Sequence, residues 1–96
     1  MKTRVELDPA VADFVRSLAP EPRRRLREGL RGLEEDKGDL KPLEADLAGY
    51  VRLRVGSYRV IVRFRTERGG RVARCVHAER RPVVYELFSE ILRGQP

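Results

Sequence analysis

The sequence is poor in several residue types that carry chemistry. It has one cysteine, one histidine, one methionine and no tryptophan, and of its 21 basic residues only Lys2, Lys37 and Lys41 are lysine. A lone Cys75 excludes an internal disulfide and a cysteine-based zinc site, and it suits a reducing compartment, so a cytoplasmic location is expected. A lone His77 excludes catalysis by a histidine pair. No apolar run approaches the length of a membrane span or of a signal-peptide core. No internal repeat or low-complexity stretch breaks the chain. No cluster of carboxylates, or of His with Cys, marks a metal site, so neither a metal nor another cofactor is expected.

What is abundant is arginine. The 96 residues carry a net charge of +6 and a sequence pI near 10.2. This length makes residues 1–96 one domain with room for one modest core. The charge points to an acidic partner, either nucleic acid or an acidic protein that masks the basic surface.

The chain is organised around residues 50–65, YVRLRVGSYRVIVRFR. Val51, Leu53 and Val55 alternate with arginines, the period of a half-buried strand. Gly56-Ser57 fits a two-residue hairpin turn. That turn sets Val55 opposite Tyr58, Arg54 opposite Arg59, Arg52 opposite Ile61 and Tyr50 opposite Arg63. Directly opposite residues share a side of the sheet. One side therefore holds Val51, Leu53, Val55, Tyr58, Val60, Val62 and Phe64. The other holds Tyr50, Arg52, Arg54, Arg59, Ile61, Arg63 and Arg65. Facing arginines are destabilising by roughly 0.2–1 kcal/mol per pair. Such a face is either simply solvated or a site for a polyanion, phosphate above all, since the guanidinium fork matches phosphate.

Around the hairpin, Lys2–Leu7 is a strand candidate. Asp8-Pro9 reads as an N-cap and first turn, and Val11, Phe14, Val15 and Leu18 form a helical stripe that Pro20 ends. A second helix is expected from about Pro22 to Lys37 on Leu26, Leu30 and Leu33, capped by Gly38. Arg24, Arg27 and Arg31 fall on its far side, as a solvated face or an RNA-backbone contact. Close packing against the first helix is the expected reason for Gly29; Gly32 has no evident one. Asp39–Ala48 reads as an irregular connection anchored by Leu40, Leu43 and Leu47. Arg71–Ala78 is a third strand, with Arg65 opposite Arg71 and so Ile61 opposite Cys75 and Arg59 opposite His77. Pro82 opens a last helix with Val84, Leu87, Phe88 and Ile91 as its stripe and Gly94 as its stop. The expected fold class is α+β: a small antiparallel sheet, two N-terminal helices packed on one face, and the C-terminal helix at the rim.

The run LKPLEADLAGYVRLRVGSYRVIVRF, followed by ERRPVVYELFSEIL, resembles the RelE/ParE toxin superfamily of bacterial toxin–antitoxin systems. The resemblance covers nearly the whole chain, and its RelE-like branch is favoured. RelE-like members are ribosome-dependent endoribonucleases that cut mRNA and so inhibit translation. ParE-like members poison DNA gyrase without cutting RNA, which is the alternative. The resemblance implies catalytic roles for Arg52, Arg59 and Tyr85, and for one arginine of Glu79-Arg80-Arg81. Spacing does not decide between the last two; Arg81 is assigned to catalysis and Arg80 to RNA binding, together with Arg54, Arg63 and His77. Some members have lysines where this chain has arginines, which leaves its proton-transfer groups undefined. The implied partners are mRNA and the ribosome, and a cognate acidic antitoxin, with a heterotetramer as one form of that complex. A diverged, inactive member that only binds is a third alternative.

The chemistry itself sets requirements. Attack of a ribose 2′-OH on the adjacent phosphate needs a base, an acid for the leaving 5′ oxygen, and charge stabilisation at phosphorus. Arginines on a rigid sheet supply the last. His77 and Glu79 are candidate bases, each with a plain structural alternative: a locally bonded strand-end histidine and a surface ion pair. Tyr85 either positions the 2′-OH, stacks on a base, or only packs.

Overall fold

The computed structural model describes residues 2–80 and 83–94. A strand, β1 (Thr3–Leu7), is followed by two helices, α1 (Pro9–Ser17) and α2 (Pro20–Gly32). Strands β2 (Asp39–Pro42), β3 (Val51–Val55), β4 (Tyr58–Glu67) and β5 (Gly70–Arg80) come next, and helix α3 (Val83–Arg93) closes the order. The strands form one sheet in the order β1-β5-β4-β3-β2. All pairs are antiparallel except β1 with β5, which run parallel, so the sheet is mixed. The α+β class, with two N-terminal helices against the sheet, is as expected.

The β3–β4 register is the one that the two-residue turn dictates, with Val55 opposite Tyr58 and Arg54 opposite Arg59. β5 differs from expectation. Arg65 faces Val72 and Ile61 faces His77, while Arg59 faces Glu79. The two strands pair as far as Glu67 and Gly70, and the register shifts between Ile61 and Val62, where Val76 is the extra residue. A bulge of this kind gives two residues on one strand for one on the other.

The segment after α2 also differs. A 3-10 turn over Leu33–Glu35 replaces the expected helical continuation, and Asp36 takes a left-handed conformation at φ 57°. Tertiary contacts fix it there: Thr3 and Arg71 donate to its carboxylate at 2.5 and 2.6 Å. The Lys37 amide donates to the Gly32 carbonyl at 2.9 Å, so the chain turns back on Gly32 well before Gly38. Pro20 opens α2 instead of merely ending α1. Asp8 accepts from the Val11 and Ala12 amides with its backbone carbonyl, while its carboxylate is taken by Arg74 at 2.7 Å. Residues 39–42 are not irregular but the edge strand β2, with a second 3-10 turn at Ala45–Leu47.

The two faces of the sheet carry two cores. Under α1 and α2, Val11, Val15, Leu26, Leu30 and Leu33 pack on Leu53, Val60, Val62 and Ala73. Cys75 lies in this core, where burial, with a smaller push from Asp8, raises its thiol to about 12, so it is inert at neutral pH. On the other face Leu47, Ile61 and Phe88 form a smaller core with Leu43, Tyr50, Val76, Tyr85 and Leu92 around it. Thus α3 lies across part of the face that the sequence leaves open, because Ile61, fully buried, and Val76 give it an apolar seat. On α3, Phe88 is buried as the expected stripe has it, but in the last turn Leu92 is packed and Ile91 is 44% exposed. Pro82 and the side chain of Val84 lie outside the described residues.

Candidate functional site

The basic half of the second face, between β2 and α3, is an open groove of about 540 Å³. Arg52 and Arg54 from β3, Arg59 from β4 and Tyr85 from α3 line it. β2 and the connection after it add Lys41, Leu43, Glu44 and Leu47. Lys41 stands opposite Arg52 in the β2–β3 ladder and therefore shares its face. Lys41 and Glu44 are the lining residues that sequence reasoning missed. Their signal was weak: Pro42 disfavours a central strand but is tolerated on an edge.

The arginines are held differently. Arg52 is mostly buried; its Nη2 donates to Asp39 at 2.8 Å, and its Nε is buried with no acceptor among the described residues. Arg54 is half exposed and lies 3.9 Å from the same carboxylate. Arg59 is 3% exposed and donates to the Gly56 and Tyr58 carbonyls at 2.8 and 3.0 Å. The facing pair Arg54 and Arg59 is thus eased by separate acceptors. Tyr85 is half-buried, its ring in the smaller core and its edge on the groove.

Other residues assigned from the sequence lie apart from the groove. Arg63 is exposed, with its guanidinium 5.3 Å from the Tyr50 ring centroid and Nη1 3.4 Å from the Tyr50 hydroxyl. Tyr50 in turn packs edge-on against Phe88. His77 stacks on Phe88 at 5.8 Å beneath α3, with Nε2 buried and unpaired among the described residues. Burial pushes its pKa down, against a smaller upward pull from Glu79. Arg80 faces the opposite way: it shares the side of Tyr58, lies 5.8 Å over that ring, and borders a different hollow with Glu21 and Arg25. Arg65 is engaged in ion pairs with Glu6 and Glu67 at the far end of the sheet, which raise its pKa through hydrogen bonds to Glu67 first and Glu6 second. Arg81 lies outside the described residues.

Among the described residues no group of three or more His, Cys, Asp or Glu side chains is placed to hold a metal ion. No helix among them is long and apolar enough to cross a membrane. Chemically, the groove offers guanidinium donors for a phosphate, one ammonium, one carboxylate and one phenol ring edge.

No family model matches the chain, and no curated protein matches it in sequence. Solved structures do match. The RelBE2 toxin–antitoxin complex from Mycobacterium tuberculosis is similar at a TM-score of 0.70 and 20% identity, over 84% of this chain and 100% of that one. The YoeB/ParE toxin from Agrobacterium tumefaciens matches at 0.65 and 16%, over 80% and 96% of the two chains. The archaeal RelE–RelB complex from Pyrococcus horikoshii matches at 0.64 and 28%, over 85% and 98%. The chain therefore shares the fold of these RelE, YoeB and ParE toxin structures.

Proposed function

We propose that this chain is the toxin of a toxin–antitoxin system and acts as a RelE-type, metal-independent endoribonuclease on ribosome-bound mRNA. The observation that carries the reading is the convergence of Arg52, Arg54, Arg59, Lys41 and Tyr85 on one groove. Arginine forks bind and neutralise the scissile phosphate as charge develops on it. Glu44 is the carboxylate of the groove and takes the 2′-OH proton. The 2′ oxygen then bonds to phosphorus and the bond to the 5′ oxygen breaks, with Lys41 returning a proton to the leaving oxygen. The products are a 2′,3′-cyclic phosphate and a 5′-OH end. Tyr85 stacks on a base beside the cut. An acidic antitoxin, folding across this surface, is the expected protein partner, and the cytoplasm the expected site of action.

Primer extension after brief induction tests the reading. The expected result is cuts inside translated frames, in phase with codons and absent when translation is blocked. Arg54→Ala with Tyr85→Ala should abolish them while the chain stays folded. Arrested growth with intact messages and altered DNA supercoiling would replace this reading with a ParE-like gyrase poison.

A further inference from the structure

Helix α2 carries a second basic feature on the side of the sheet away from the groove. Its thirteen residues contain five arginines and two glutamates, a net charge of +3, half that of the whole chain. The glutamates are spent on particular partners. Glu21 pairs with Arg24 and Arg25 at 2.7 and 3.2 Å, and Glu28 pairs with Arg24 at 2.8 Å. Arg23, Arg27 and Arg31 make no ion pair or hydrogen bond among the described residues. They follow one another at i, i+4 and i+8, which sets them in a row with roughly 5–6 Å between successive Cβ atoms. Arg23 is half-buried beside the leucine stripe, and Arg27 and Arg31 are exposed. Lys2 borders the hollow at the Arg31 end, together with Glu28, Glu34 and Glu35, of which Glu28 is paired with Arg24 and Glu35 with Lys37.

A row of three arginines on a rigid helix, spaced like successive phosphates of one strand, is complementary to a nucleic-acid backbone. The sheet and both cores separate it from the groove, so a short strand seated in the groove does not reach it. We propose that Arg23, Arg27 and Arg31 form a second RNA-backbone contact, which holds a structured, double-stranded RNA segment distinct from the strand in the groove. The choice of RNA rests on the reading proposed above. Recognition is by backbone and shape, because a row of guanidiniums on one helix face carries no base-specific pattern.

The test is the salt dependence of binding of the full chain to an RNA duplex of about 16 base pairs, followed by fluorescence anisotropy. Each phosphate that is no longer neutralised lowers the slope of log K against log salt by about 0.7–0.9. The triple variant R23Q/R27Q/R31Q should therefore reduce the slope by about 2–3, and the groove variant K41Q/R54Q should leave it nearly unchanged. Circular dichroism checks the fold, and the triple Arg→Lys variant should restore the slope. An unchanged slope in the glutamine variant overturns the proposal. So does an unchanged slope with lost binding of a poly-glutamate peptide, which would make the row a surface for an acidic protein. A wild-type chain that cuts no message but shows the full slope leaves this contact standing and removes the ribonuclease reading.

Discussion

Arg54 and Arg59 face each other across the hairpin, yet substitutions there should do different things. Arg59 is buried and holds the Gly56 and Tyr58 carbonyls at the hairpin turn, whereas Arg54 is half exposed with one distant carboxylate. Hydrogen bonds from a charged donor contribute about 1.5–3 kcal/mol, and removing the donor takes both of these bonds from the turn. Arg59→Ala should therefore lower Tm by on the order of 10 °C and lose activity partly through the fold. Arg54→Ala should change stability by no more than about 0.5 kcal/mol and still cut RNA on the order of a hundredfold more slowly, the scale of one missing charge-stabilising donor. Thermal melts beside a cleavage assay decide it; equal Tm for the two variants refutes the anchoring role of Arg59. The two residues look alike in the sequence because a pattern of alternation gives a side of the sheet and nothing about depth. Depth depends on what covers each face, and the arginine pattern hides the seat of α3 on Ile61 and Val76. The same blindness affected His77, legible as a titratable group near the site but in fact packed under Phe88.

At the scale of elements, close contact between α2 and β3 explains a glycine that helix propensity does not. A Cβ on Gly29 would sit 2.5 Å from Val55 Cγ2, so at this position the helix rests on the hairpin and not, as expected, on α1. Gly29→Ala would gain up to about 1 kcal/mol of helix propensity, but the overlap meets a β-branched side chain with little rotamer freedom. Overpacking of this kind costs about 1–3 kcal/mol, so a net loss is expected. Val55→Ala in the same chain should reverse the sign of the Gly29→Ala effect, and chemical denaturation of the four variants measures the coupling. Equal effects in both backgrounds would mean that the contact carries no energy. The hairpin itself was legible because a two-residue turn leaves one register. β5 was not, since its pairing depends on a bulge at Val76 that has no glycine or other mark in the sequence. β2 was hidden by its shortness and by Pro42, and with it went Lys41 and Glu44, the groove's ammonium and carboxylate.

Across the whole molecule, the sheet separates two cores that share few residues. Among the described residues, the larger core beneath α1 and α2 contains none from α3, while the smaller one depends on Phe88 and closes the groove through Tyr85. A chain ending at Arg80 should therefore remain folded around the larger core. It loses at least the burial of Phe88, which is 5% exposed, a change worth roughly 3–5 kcal/mol by comparison with Phe→Ala substitutions. It also uncovers Ile61 and Val76, so it should bind a hydrophobic dye that the full chain does not. Cleavage should vanish with Tyr85 and the groove wall. The duplex-RNA contact proposed for α2 should persist with most of its salt slope. Hydrogen exchange and anisotropy on the shortened chain test both halves of this expectation. Retained protection in β1, β4 and β5 with retained duplex binding means that the two faces work as separable devices on one scaffold. Global loss of protection means that α3 is part of the single cooperative unit, and that the groove and the helix face stand or fall together.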